Sequence, residues 1–291
     1  MAKVGLALSP QSPGKPGEGE GELGADRMTE RLIELRNITK SFGRVYALGG
    51  VSLSVDRGEV VGLIGDNGAG KSTLIKILAG VIKPTAGEIL VRGLPVSGWN
   101  AARSREAGIE TVFQDRALAV QQSIVRNIFM GCELKGLLGW LDRAKETREA
   151  ERLMRDIGFT SNVFTPRSIV GQLSGGERQG VAIARAIYRQ ADLIVLDEPT
   201  TALSITETNK VFHFVRQVRE SGRSIVFIGH NIHHVYGIAD RFVVLDRGKV
   251  ELEARRADVP SAEALISFMQ AVAKPNNKTA GGRLSAARAA T

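Results

Sequence analysis

The chain has 291 residues, 43% of them hydrophobic, which is enough for one large α/β domain, or one domain with a subdomain, around a real core. Its single cysteine, Cys132, excludes an intrachain disulfide and suits a reducing compartment; with no paired motif around it, it reads as a small buried or half-buried side chain. The net charge of +8 is partly local, with Lys274, Lys278, Arg283 and Arg288 in the tail, so it argues only weakly for an anionic partner.

No apolar run approaches the roughly 18–20 residues that cross a bilayer, and Val4 to Leu8 is too short for a secretory segment. A soluble chain is expected, one still able to sit on a membrane protein. Residues 1–28 are rich in Gly, Pro and Glu without periodicity and read as a disordered extension.

A strand pattern opens with Leu32-Ile33-Glu34-Leu35-Arg36. Val51, Leu53 and Val55 alternate with Ser52 and Ser54, as in a half-exposed antiparallel strand, and Asp56-Arg57-Gly58 turns the chain. Between them lies Phe42, either an ordinary core aromatic or, as the following Gly43 suggests, a loop-borne one. Glu88 to Gly93 is another short strand after a turn at Pro84 to Gly87. Together these pieces predict a small antiparallel sheet beside a parallel one.

Glu59 to Ile64 is nearly all apolar, as a strand buried in a parallel sheet should be. Gly65-Asp66-Asn67-Gly68-Ala69-Gly70-Lys71-Ser72-Thr73 follows and fits the phosphate-loop pattern G-x-x-x-x-G-K-[ST]. Leu74 to Ala79 then continues as a helix that Gly80 stops. The residue types follow from the chemistry. Triphosphate oxygens need close backbone N–H groups, and Gly65, Gly68 and Gly70 remove obstructing Cβ atoms and permit φ > 0. The helix N-terminus adds unpaired donors, Lys71 reaches the β/γ-phosphates, and Ser72 can ligate Mg²⁺.

Ile109 to Phe113 reads as a core strand ending at Gln114. Residues 115–173 turn helical and are expected to form an inserted subdomain. Ala144, Ala150, Leu153, Met154 and Ile157 share a helix face, with Asp142 as N-cap and Gly158 as stop. Leu173-Ser174-Gly175-Gly176-Glu177-Arg178-Gln179 opens a helix to about Arg189. Asp192 to Asp197 is a buried strand ending in Asp197 and Glu198, and Ser224 to Gly229 is another, ending at His230. Arg241–Asp246 and Lys249–Glu253 make a hairpin, and Ser261 caps a last helix to about Val272. Residues 274–291 read as a disordered basic tail. His213, His233 and His234 read as surface or packing histidines.

The phosphate loop, Gln114, the Ser174-Gly175-Gly176 helix start, Asp197-Glu198 and His230 occur in one order. Over about residues 31–255 the chain thereby resembles the nucleotide-binding subunit of ABC (ATP-binding cassette) transporters. The resemblance implies a P-loop NTPase with a RecA-like parallel core, an antiparallel β subdomain and the helical insert, in one ATPase domain at 29–273. It implies ATP and Mg²⁺ as ligands, with Asp197, Ser72 and Gln114 near the metal. Glu198 would orient or deprotonate the attacking water, His230 would fix the γ-phosphate, and Phe42 would stack on adenine. Ser174, Gly175 and Gly176 would serve the nucleotide held by a second copy of the chain, in a head-to-tail dimer closing over two ATP molecules.

Ser204 stands where the family often carries an Asp. This substitution, and the stretch Phe227 to Tyr236 followed by Ile238-Ala239-Asp240-Arg241, is similar to fructose- and ribose-type sugar importers. The single cassette resembles the fructose type. The implied setting is the cytoplasmic face of the membrane, with the insert docked on permease subunits and a solute-binding protein acting indirectly. The alternatives are another solute, export, or a soluble ABC ATPase acting on nucleic acid or ribosomes. DNA-repair types carry long coiled coils, absent here, and translation types usually carry two cassettes, so nucleic acid is the less expected partner. The span after the last hairpin is expected to be too short for an added regulatory domain.

Overall fold

The computed structural model describes residues 30–113, 118–136, 139–157, 164–201 and 203–273. The readings of residues 1–28, of the tail from 274, of Gln114 and of Gly158 lie outside the described residues. The chain opens with β1 (Arg31–Phe42), β2 (Val45–Asp56) and β3 (Val60–Ile64), then α1 (Lys71–Leu78), β4 (Ala86–Val91), β5 (Leu94–Pro95), α2 (Ala101–Glu106) and β6 (Ile109–Val112). Next come α3 (Ile124–Phe129), α4 (Arg143–Asp156), α5 (Gly175–Tyr188), β7 (Leu193–Asp197) and α6 (Ile205–Glu220). The chain continues with β8 (Ser224–Ile228), α7 (Ile232–Tyr236), β9 (Arg241–Asp246), β10 (Lys249–Arg255) and α8 (Ala262–Ala273).

β2, β1, β4 and β5 form an antiparallel sheet in that order. The serine alternation seen in sequence is its physical cause: Val51, Leu53 and Val55 are buried while Ser52 is exposed. The second sheet runs β10-β9-β3-β8-β7-β6. Its five inner and far strands are parallel, and β10 turns back along β9. All carboxyl ends of the parallel strands therefore open on one side, where ligands of open α/β sheets bind.

The central strands read as continuous apolar runs because both faces are covered. Val61, Leu63, Val195, Val226 and Val243 face a cluster shared with α1 and the antiparallel sheet. Val60, Ile64, Ile194, Phe227 and Val244 face a second cluster shared with α3 to α8. The Ile238-Ala239-Asp240-Arg241 stretch joins the two sheets. Arg241 is 8% exposed and donates to both Glu59 oxygens at 2.6 and 2.8 Å and to Ser54 O at 2.7 Å. Asp240 Oδ2 accepts from Val60 N at 3.0 Å and Oδ1 pairs with Arg219 at 2.6 Å. Such a fork-shaped, charge-assisted link fixes orientation as well as distance.

Between β6 and α5 the described chain holds α3, α4 and a short turn at Val170–Gln172, joined by β-bridges at Ser123–Ile169 and Lys135–Leu141. It is less helical than the sequence pattern suggests. Gly131, at φ 77°, follows the end of α3, and Gly139, at φ 78°, turns the chain between the bridged residues Lys135 and Leu141. Polar side chains hold the connections instead: buried Asn127 bonds Ala119 N and O and Ser123 O, and buried Glu146 accepts from Leu134 N.

On α4, Ala150, Leu153, Met154 and Ile157 are buried, but Ala144 is exposed and Glu146 takes the inward place. At 100° per residue Ala144 lies roughly 120° around the helix from Ala150, off the buried stripe. Asp142 is the N-cap, accepting from Lys145 N at 2.9 Å. Cys132 is exposed, contrary to expectation, because it lies in the turn after α3 while Phe129 fills the core.

Candidate nucleotide site

The phosphate loop links β3 to α1 as expected. Gly70 is the N-cap of α1 at φ 106°, with no side chain capping the helix, which leaves its first N–H groups without a side-chain acceptor. A Cβ on Gly70 would lie 2.8 Å from Ala47 O and from Leu48 Cδ2, so this glycine is demanded by β2. Gly68, at φ 85°, has no protein atom within 4 Å of such a Cβ, leaving its side open to a phosphate. Gly65 is confined by the Leu245 carbonyl. Asp66, Asn67 and Ser72 are exposed, Ala69 is buried, and Thr73 is half-buried in the first turn of α1.

Lys71 is buried and spans the loop, donating from Nζ to Gly65 O at 2.6 Å and Asp66 O at 3.0 Å. Burial pushes its pKa below the usual lysine range, opposed by the charges of Glu198, Asp66 and Asp197. The ammonium is thus poorly solvated and near acidic groups, a state that an arriving phosphate would relieve.

Asp197 ends β7, one strand across β8 from the phosphate-loop strand. Glu198 follows at φ 49°, in the left-handed region that costs a non-glycine about 1–2 kcal/mol. This turn lets Glu198 N bond Ile228 O at 3.0 Å. The Glu198 Oε2 atom accepts from Thr201 Oγ1 at 3.2 Å and lies 3.5 Å from His230 Nδ1. Strain held at a polar cluster is typical of working sites. His230 is largely exposed just beyond β8. His234, expected as a surface or packing histidine, meets Thr200 Oγ1 at 3.2 Å and the Phe212 ring edge-on.

Among the described residues no group of three His, Cys, Asp or Glu side chains could hold a metal unaided. A magnesium ion needs no such cage: it keeps waters and takes one or two carboxylates plus substrate phosphates. Exposed Ser72 and strand-end Asp197 fit that donor set.

Phe42 ends β1 at the tip of the β1–β2 hairpin, rather than within a loop, because the turn is confined to Gly43 and Arg44. It is 52% exposed, with Lys40 Nζ 5.0 Å from its ring centre. Tyr46, which sequence reasoning passed over, lies opposite Ser41 and is exposed too. The β2 segment that follows packs Ala47 and Leu48 on Gly70, which sets the hairpin's distance from the phosphate loop.

Ser174 is the N-cap of α5 in a capping box with Glu177. Its partner Glu207 was missed in the sequence. Glu207 Oε1 accepts from Ser174 Oγ at 3.2 Å and from Gly176 N at 3.1 Å, and Oε2 accepts from Ser204 N and Ser204 Oγ, both at 2.9 Å. The Ser204 backbone N–H is the largest of the causes holding the Glu207 carboxyl below its usual range. The legible signal was Ser204-x-x-Glu207, a capping box. Ser204 is the N-cap of α6, a position that Ser and Asp fill comparably.

A phosphate loop after a central parallel strand, an acid pair at the end of a nearby strand and a polar histidine beside it define a P-loop nucleoside triphosphatase. The profile of the ABC transporter family matches residues 48–201, and the chain belongs to that family. It is 41% identical to the xylose/arabinose import ATP-binding protein XylG of Sulfolobus acidocaldarius, over 81% of this chain and 94% of that protein. It is 37% identical to the fructose import ATP-binding protein FrcA of Rhizobium meliloti, over 84% of this chain and 96% of that protein. The ribose import ATP-binding protein RbsA 2 of Burkholderia pseudomallei is 43% identical over 82% of this chain, which spans only 46% of that longer protein.

Among solved structures, a dimeric ATP-binding cassette in a post-hydrolysis state with ADP and phosphate superposes with a TM-score of 0.68 at 27% identity. That match covers 77% of this chain and 99% of the cassette. A nucleotide-free cassette gives a TM-score of 0.70 at 25% identity, covering 86% and 98%. The α/β class and P-loop NTPase fold expected from the sequence stand, and the chain is an ATPase of this family.

Proposed function

We propose that the chain is the ATP-hydrolysing subunit of an ABC importer for a monosaccharide. The observation that carries this reading is the agreement among relatives: cassettes about 40% identical along most of this chain are named for import of xylose or arabinose, ribose and fructose. The cassette itself need not touch the sugar, so the solute class is read from kinship and the chemistry from the site.

In this reading Gly65–Thr73 wraps the triphosphate, and Lys71 exchanges its two carbonyl bonds for phosphate oxygens. Phe42 stacks on the base. Ser72, Asp197 and Gln114 would hold a magnesium ion, which would neutralise phosphate charge. Glu198, steadied by Thr201 and next to His230, orients the attacking water and accepts its proton. His230, being exposed, is free to turn to the γ-phosphate. Two copies meet head to tail, each offering Ser174-Gly175-Gly176 to its mate's nucleotide, and residues 115–173 dock on a permease at the cytoplasmic face of the membrane. A separate solute-binding protein delivers the sugar.

The test is uptake of labelled pentoses and hexoses by vesicles holding this chain with its permease and binding protein. ATP-dependent sugar uptake that E198Q abolishes supports the reading. Transport of amino acids but no sugar, or salt-sensitive retention on nucleic acid in place of a permease, overturns it.

A further inference from the structure

The Ser174–Gly176 tip carries an anion already. The Glu207 carboxylate, from the first turn of α6, takes the Ser174 hydroxyl and the Gly176 N–H on one oxygen. A hydroxyl plus an N–H at a helix start is the donor set a phosphate oxygen would seek. Gly176 is shaped for this occupant, since a Cβ there would run into the Glu207 carboxylate. The other Glu207 oxygen is held by Ser204, at the turn entering α6.

We propose that Glu207 is an internal stand-in for the γ-phosphate, occupying the Ser174–Gly176 cradle in the isolated chain and leaving it when the partner's ATP arrives. This rests on the proposed reading of that cradle as the contact to the partner's nucleotide. A carboxylate and a triphosphate cannot share the donor pair, because both are anionic acceptors with nothing to donate to each other. Occupancy by Glu207 thus keeps the tip satisfied while no partner is present and raises the ATP concentration needed for pairing. Release leaves the two bonds to Ser204 in place, so α6 keeps its cap as the side chain swings. The arrival of nucleotide on one chain thereby frees one Glu207 oxygen at the start of α6 in the other.

The experiment measures ATP-driven pairing by sedimentation velocity, with Mg²⁺-ATP titrated into full-length chain carrying E198Q to prevent hydrolysis. Adding E207Q keeps an oxygen to accept from Ser204 N but removes the charge. It is expected to lower the half-maximal ATP concentration at least about tenfold, roughly the worth of one lost charge-assisted hydrogen bond. E207D, which keeps the charge but draws it back from Ser174, shifts the curve the same way and covers the case in which E207Q folds poorly. E220Q, an equal charge change at the far end of α6, leaves the curve in place. S174A weakens pairing.

If S174A weakens pairing while E207Q and E207D leave it unchanged or weaker, the stand-in role of Glu207 is wrong and the cradle reading survives. If S174A has no effect, the cradle reading falls and this proposal with it. An E220Q shift equal to that of E207Q overturns the proposal in favour of bulk charge.

Discussion

Replacing Gly70 by alanine isolates what the phosphate loop owes to its backbone. Gly70 combines φ 106° with two atoms, Ala47 O and Leu48 Cδ2, each 2.8 Å from where a Cβ would stand. The dihedral alone costs a non-glycine of order 1–3 kcal/mol. Forcing a methyl group against the β2 backbone adds about 1–3 kcal/mol of overpacking. The sum, about 2–6 kcal/mol, corresponds to a fall in melting temperature of roughly 5–20 °C for a domain of this size. Gly68→Ala provides the comparison: its φ is 85°, but the Cβ meets nothing within 4 Å, so it incurs only the first cost. Differential scanning calorimetry of the nucleotide-free chain should rank wild type above G68A and G68A above G70A, while titration calorimetry should show ATP binding weakened in both. A G70A melting temperature within a degree or two of wild type, or G68A falling as far as G70A, would refute the reasoning.

Removal of the Phe42 ring by F42A should weaken ATP binding by about 1–3 kcal/mol, the range for a base stacked on an aromatic. Y46A should change it much less; the reverse order would move the base to Tyr46. Because burial lowers the Lys71 pKa and phosphates favour the ammonium, ATP binding must be accompanied by proton uptake once the free-state lysine begins to lose its proton. ATP affinity should therefore decline as pH rises through that pKa, and K71M, already weak, should lack the decline; a wild-type affinity flat across the alkaline range contradicts this. E198Q should keep ATP binding and lose roughly 10²- to 10⁴-fold in turnover, the usual worth of general-base assistance. Turnover within tenfold of wild type would remove Glu198 from the chemistry.

What was legible in the sequence depended on locality. The phosphate loop, the Asp197-Glu198 strand end and the β9–β10 hairpin are written in consecutive residues, and β3, β6, β7, β8 and β9 stand where the apolar runs placed them. Pairs distant in sequence were not legible. The Ser174–Glu207 contact spans 33 residues, and its only trace was a capping box at Ser204, which by itself says nothing of Ser174. Similarly, Arg241 reads as one charge beside an apolar strand until the fold brings Glu59 and Ser54 to it. Ala144 was misread because apolarity was taken for inwardness, whereas Glu146 is buried by its hydrogen bond to Leu134 N.

The most direct measurement of the trans arrangement mixes two inactive chains, one carrying K71A and the other S174R, and follows ATPase activity. In a head-to-tail pair the mixed dimer holds one site in which an intact phosphate loop meets an intact Ser-Gly-Gly tip, whereas every homodimer has both sites damaged. The expected result is recovery to roughly a quarter of wild-type turnover, since random pairing makes half the dimers mixed. A mixture as inactive as its two components would contradict a nucleotide site shared between copies.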